Sequence, residues 1–168
     1  MVNEKFIFEP EAPASLVPPQ GGDWPRAAEG GYGAANRFLS QFDGTLRRLR
    51  STRLRFSVMR LILPVEAAGE PGLAARVSRH LDDPHVMAGL WYDESVVGAF
   101  FGPRSCGSVG DRMQARKIAQ RCQQAMNDAG EADLVPFTRL LIAHCWTDET
   151  IDPVALIEAL DAPCGRSV

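Results

Sequence analysis

The stretch LWYDESVVGAFFGP, residues 90–103, decides how the chain is read. Apolar, β-prone residues run from His85 to Tyr92 and again from Val96 to Phe101, with Asp93, Glu94 and Ser95 between them, so the spacing predicts two strands joined by a tight turn. Two acids at a hairpin tip fit a catalytic turn, but they also fit a bend that needs polar residues. What flanks the hairpin decides between the two.

Upstream, residues 54–65 (LRFSVMRLILPV) are apolar and β-branched, with Arg53, Arg55 and Ser57 alternating at the start, the pattern of a strand. Residues 69–81 carry Leu73, Val77 and Leu81 at helical spacing, and DDP closes that helix. Downstream, residues 111–128 form a long helix with Met113, Ile118, Cys122, Ala125 and Met126 on its buried side and Gly130 as its stop. Residues 137–146 (FTRLLIAHCW) give a fourth strand. Asp152 caps a last helix that opens at Pro153. The order β-α-β-β-α-β-α predicts an α+β domain, a ferredoxin-like βαββαβ sheet of four antiparallel strands with both crossover helices on one face.

Before this domain, Ala35, Phe38, Leu39, Phe42, Leu46 and Leu49 recur at spacings of three and four, which predicts an amphipathic helix over residues 34–52 that ends near Arg50, with Gly44 as a weak point that allows a bend or break. Its stripe spans fewer than three heptads. Packing on the chain's own core is therefore expected over a coiled-coil homodimer. Residues 1–33 hold five of the 12 prolines and five of the 15 glycines without periodicity, the composition of a flexible, disordered tail. Within it, Phe6, Ile7 and Phe8 form a β-prone cluster flanked by charge. That segment suits either addition to a partner's sheet edge or packing on its own domain. Residues 53–168 make up the one folded domain, with no internal repeat.

Of the 168 residues, 45% are hydrophobic and 23% charged, and a net charge of −3 argues against a general nucleic-acid or membrane-surface binder. Cys106, Cys122, Cys145 and Cys164 make no CxxC pair, and neither a signal segment nor a run of about 20 apolar residues is present, so reduced thiols in a cytoplasmic protein are expected.

In position and flanking strands, the hairpin resembles the signature hairpin of GGDEF domains, the diguanylate cyclase family of bacterial cyclic di-GMP signalling. The resemblance spans residues 54–162. It puts Trp91 and Tyr92 on the motif's two glycines, Asp93 and Glu94 on its acids and Ser95 on its phenylalanine. LILPVE resembles the family's first strand, with Glu66 on the second metal-binding acid and Pro64 on the first. TIDPVALIEALDA resembles its closing helix.

The departures matter chemically. Cyclisation of GTP needs two metal ions held by carboxylates at both places. Pro64 cannot ligate a metal, and Trp91 and Tyr92 place rings where glycine lets a nucleotide approach. Only 26 residues separate Pro64 from Trp91, too few for the family's additional helix, and DDPHVMAG replaces the Arg-x-x-Asp product site. The resemblance thus implies a degenerate, non-catalytic module. Glu66, Asp93 and Glu94 are its metal-site remnants, and no cofactor or bound metal is expected.

Other motifs are weaker. In GPRSCGSVGD, Gly102 and Gly107 have the spacing of a phosphate-binding loop, but Ser108 stands where its lysine belongs. The spacings of His80, His85 and His144 match no zinc pattern. His144 alternates with core residues and is expected to be packed and hydrogen-bonded. Arg47, Arg48, Arg50, Arg53, Arg55 and Arg60 crowd into fourteen residues, a cluster fit either to bind a phosphodiester such as cyclic di-GMP or to be a solvated face that offsets nearby acids. An RNA-binding reading built on Phe100 and Phe101 lacks the basic-Gly-aromatic order expected of it. The resulting expectation is a protein-interaction or assembly module, in bacterial signalling or in a secretion or polymer-synthesis complex. Its contacts would be made by Phe6, Ile7, Phe8, the first helix, Trp91 and Tyr92, and the alternative is a cyclic di-GMP or nucleotide effector using Arg47, Arg48, Arg50, Arg53 and Arg55.

Overall fold

Strand β2 (Arg55–Ile62) lies at the centre of the sheet because it is apolar on both faces. Phe56 and Val58 point to one side, Met59 and Leu61 to the other, and all four are buried. The computed structural model of the chain describes residues 7–8, 31–64, 72–101 and 107–161. Around β2 stand β1 (Ile7–Phe8), α1 (Gly31–Leu49), α2 (Leu73–Leu81), β3 (Val86–Leu90), β4 (Val96–Phe101), α3 (Ser108–Asp128), β5 (Arg139–Trp146) and α4 (Pro153–Asp161), with 3-10 turns at Arg50–Thr52 and Ala132–Phe137.

The domain is α+β. Four antiparallel strands lie in the order β5-β2-β4-β3, and β1 extends the sheet beyond β5. Two cores sandwich the sheet. The crossover helices α2 and α3 lie together on one face, where Leu73, Val77, Leu81, Ile118 and Met126 pack against Met59 and Leu61. Helices α1 and α4 cover the other face, where Phe38, Phe42 and Ile157 meet Phe56, Val58 and Trp91. The expectation of helices on one face therefore holds for the crossovers alone, because α1 and the closing helix bury the second apolar face of β2 and β4. Each fully buried large apolar side chain contributes roughly 1.5–3 kcal/mol, and Phe56 also stacks on Phe101 at 5.3 Å.

Helix α1 starts at Gly31, three residues before the expected boundary, and runs unbroken past Gly44. Its apolar stripe is consumed by the sheet, so the coiled-coil use of that stripe does not arise. The approach is close: a Cβ added at Gly89 would lie 2.9 Å from the Phe38 Cβ, so glycine at that position of β3 lets the helix settle. Ile7 and Phe8 add in parallel to the edge of their own sheet, with Ile7 opposite Leu141 and Phe8 opposite Ile142. Phe6 lies outside the described residues.

Asp152 caps α4 as expected, with its Oδ1 accepting the Val154 N–H at 2.9 Å. Two apolar residues depart from expectation. Met113 is 53% exposed, because the buried stripe of α3 runs through Ala115, Ile118, Cys122 and Ala125 and leaves Met113 on the outer side. Phe137 is 69% exposed at the end of the second 3-10 turn, since β5 begins only at Arg139. Among the described residues, no helix is long and apolar enough to cross a membrane.

Candidate functional site

The hairpin tip forms a defined polar site. Trp91 N–H donates to the Ser95 carbonyl at 2.8 Å and Glu94 N–H to the Trp91 carbonyl at 3.1 Å, which closes a three-residue loop of Tyr92, Asp93 and Glu94. Glu94 takes the left-handed position such a loop requires, at φ 64°, where glycine or asparagine is the usual occupant. Asp93 turns back toward the sheet. Its Oδ1 accepts from the Ser95 hydroxyl at 2.6 Å and the Ser95 N–H at 3.1 Å, and its Oδ2 accepts from Arg60 Nη2 at 2.6 Å.

Arg60 reaches this site from the middle of β2 and is itself buried, with its side chain 6% exposed. Nε donates to the Ser95 hydroxyl at 3.0 Å and Nη1 to the Ile157 carbonyl of α4 at 3.5 Å. Burial pushes the Asp93 carboxyl up, but the Ser95 hydrogen bonds and the Arg60 charge outweigh it and hold the group below the ordinary carboxylate range. Asp93 is thus a carboxylate already engaged by a buried guanidinium. Glu94 beside it is exposed, and Glu66 lies outside the described residues. Among the described residues, no three His, Cys, Asp or Glu side chains gather into a group able to hold a metal.

The two aromatics of the hairpin divide between core and surface. Trp91 is 3% exposed within the α1–α4 core and meets the Tyr92 ring edge-on at 4.9 Å, while Tyr92 OH donates to Asn36 Oδ1 of α1 at 3.1 Å. Trp91, expected as a partner contact, thus places its indole in the core between the sheet and α1. Half-buried Tyr92 stays at the surface beside α1.

Each of the clustered arginines has a partner within the chain. Arg47 pairs with Asp43 at 2.8 Å, Arg48 donates to Thr45 at 3.0 Å and Arg50 to Thr150 at 2.9 Å. Arg53 lies 3.4 Å from Asp148. Strand alternation then sends Arg55 and Arg60 to opposite faces of the sheet. Arg55 grips Asp111, in the first turn of α3, with two hydrogen bonds of 2.7 and 3.2 Å, and this contact, above all others, raises its pKa. The guanidiniums of Arg53 and Arg55 both stand over the Trp146 ring, at 5.3 and 5.1 Å from its centroid.

The same sheet end holds a cluster that sequence reading did not assemble. The Ser57 hydroxyl lies 2.7 Å from His144 Nδ1, and Asp111 Oδ1 is 4.0 Å from that same nitrogen. A nucleophilic relay needs the hydroxyl and the carboxylate on opposite ring nitrogens. Here both face Nδ1 and Ser57 is fully buried, so the cluster ties β2 and β5 to α3 rather than presenting a nucleophile. Once the register is known the signal is plain, because Ser57 and His144 are direct cross-strand partners. Cys122 is equally inert: burial pushes its thiol up to about 12.

No protein-family model matches the chain, and no curated protein matches it.

Proposed function

We propose that the chain is a non-catalytic interaction or assembly module of the GGDEF-like kind, serving bacterial signalling or a secretion or polymer-synthesis complex. The ferredoxin-like reading of its sheet is supported by the order β5-β2-β4-β3 and by the crossover helices sharing one face. The observation that carries the functional reading is the Arg60–Asp93 pair: the residue aligned with a metal-binding acid is held by an internal cation, and Trp91 fills the core behind it. A module of this kind acts through the Tyr92 side of the hairpin, the exposed positions of α1 and the outer edge of strand β1.

A second reading, a cyclic di-GMP or nucleotide effector, has one observation in its favour. Arg53, with a side chain 72% exposed, lies over Trp146 and offers a planar guanidinium–indole platform to a base or phosphate. Calorimetric titration with GTP and cyclic di-GMP separates the readings. The interaction module binds neither below about 10 μM. A tighter constant that is lost in Arg53→Glu establishes the effector reading instead.

A further inference from the structure

The outer face of α3 is two-ended. Its first half presents Val109, 59% exposed, and Met113, 53% exposed, beside the exposed cations Arg112, Arg116 and Lys117. Its far end presents exposed Asp128, whose Oδ1 accepts from Gln124 at 2.7 Å, and the helix closes there at the left-handed Gly130 before the 3-10 turn that carries Asp133 and Phe137. Val109 and Met113 are therefore exposed apolar side chains beside cations at one end of a 21-residue helix whose other end is acidic. Such a surface complements itself when turned end for end.

We propose that α3 is a homodimer interface, in which the α3 helices of two copies of this chain pack antiparallel. The symmetry fits an isologous contact, in which one patch meets its own copy and every pairing occurs twice. Eleven residues are about three helical turns, so Lys117 and Asp128 lie on the same side of α3. In the antiparallel pair, Lys117 of each copy meets Asp128 of the other. The cationic Val109–Met113 end of each copy then approaches the Asp128 end of the other. The opposed helix dipoles add to the attraction. This interface uses neither the hairpin nor the arginines of β2 and stands or falls separately from the interaction-module reading.

Sedimentation of the full chain tests it. The wild-type protein, of 18.4 kDa per chain, is expected to associate to twice that mass, with weaker association at high salt. Lys117→Glu and Asp128→Lys each oppose like charges twice across the axis, so each is expected to weaken association by about tenfold or more. Mixing the two variants restores both attractive pairs, and the mixture re-forms the dimer. Both positions are exposed, and unchanged melting curves for the variants verify that folding is intact. A wild-type chain that stays monomeric up to roughly 1 mM, variants that associate as the wild type does, or variants that fail to complement on mixing would each overturn the proposal.

Discussion

Arg60 Nη2 lies 2.6 Å from Asp93 Oδ2, and this contact joins the middle of the central strand to the tip of the β3–β4 hairpin. The two partners are unequal, since the Arg60 side chain is 6% exposed and that of Asp93 is 50% exposed. Removing either one has a different cost as a result. Asp93→Ala leaves a buried guanidinium without its carboxylate and is expected to cost about 2 kcal/mol, less than the roughly 3–5 kcal/mol of a fully buried pair because water reaches one side. Arg60→Met removes the buried charge, fills the space with an apolar chain and leaves Asp93 free to hydrate, for about 1 kcal/mol or less. Urea unfolding of both variants measures the order, and a greater loss in Arg60→Met contradicts it.

The same pair sets a pH dependence. The Asp93 carboxyl is lowered in the folded state, so its stabilisation is complete above the unfolded carboxyl pKa of about 3.9 and is lost as pH falls through the lower folded value. The stability difference between wild type and Asp93→Asn is therefore expected to be constant from about pH 5 to 7 and to shrink below about pH 4. Unfolding midpoints across that range check the sign.

Glu94 occupies a left-handed backbone position at φ 64° and is exposed. Glycine removes a cost of roughly 1–2 kcal/mol there, offset in part by its greater freedom in the unfolded chain. Glu94→Gly should raise the melting temperature by about 2–4 °C. A lowered melting point would show that the Glu94 side chain does more for the turn than its backbone angle implies.

Two strand glycines separate rigid from yielding neighbours. A Cβ at Gly89 meets the Phe38 Cβ at 2.9 Å, an atom fixed to the α1 backbone, whereas a Cβ at Gly98 meets the terminal methyl of Met59 at 3.1 Å. Gly89→Ala is therefore expected to cost about 1–3 kcal/mol by pushing α1 off the sheet, and Gly98→Ala to cost less because the Met59 chain can turn aside. Thermal melts of the two variants rank them.

The elements that were legible in sequence are those whose apolar period is unambiguous. The stripes of α1 and α2, the four core strands and the start of α4 at its Asp152 cap all follow from spacing and turn chemistry. Met113 misled because a methionine two residues off the stripe looks like core until the helix phase is fixed by Ala115 and Ile118. The spatial arrangement of the arginine cluster was not legible for a different reason. Proximity along the chain does not make a surface when strand alternation sends Arg55 toward α3 and Arg60 toward α4. Arg60 carried a readable signal, a charged residue between Met59 and Leu61 in an apolar strand, but its partner lay 33 positions away across a hairpin whose register only the fold supplies. The Ser57–His144–Asp111 cluster was hidden likewise, being assembled from two strands and a helix start.

A non-catalytic hairpin requires that Asp93 belong to Arg60 and not to a metal ion. Titration of the labelled chain with Mn²⁺ in the presence of GTP, followed by paramagnetic broadening of backbone amide signals, addresses this directly. No saturable broadening is expected at residues 91–95 up to about 1 mM Mn²⁺. Saturable broadening centred on Asp93, abolished by Asp93→Asn, would contradict it.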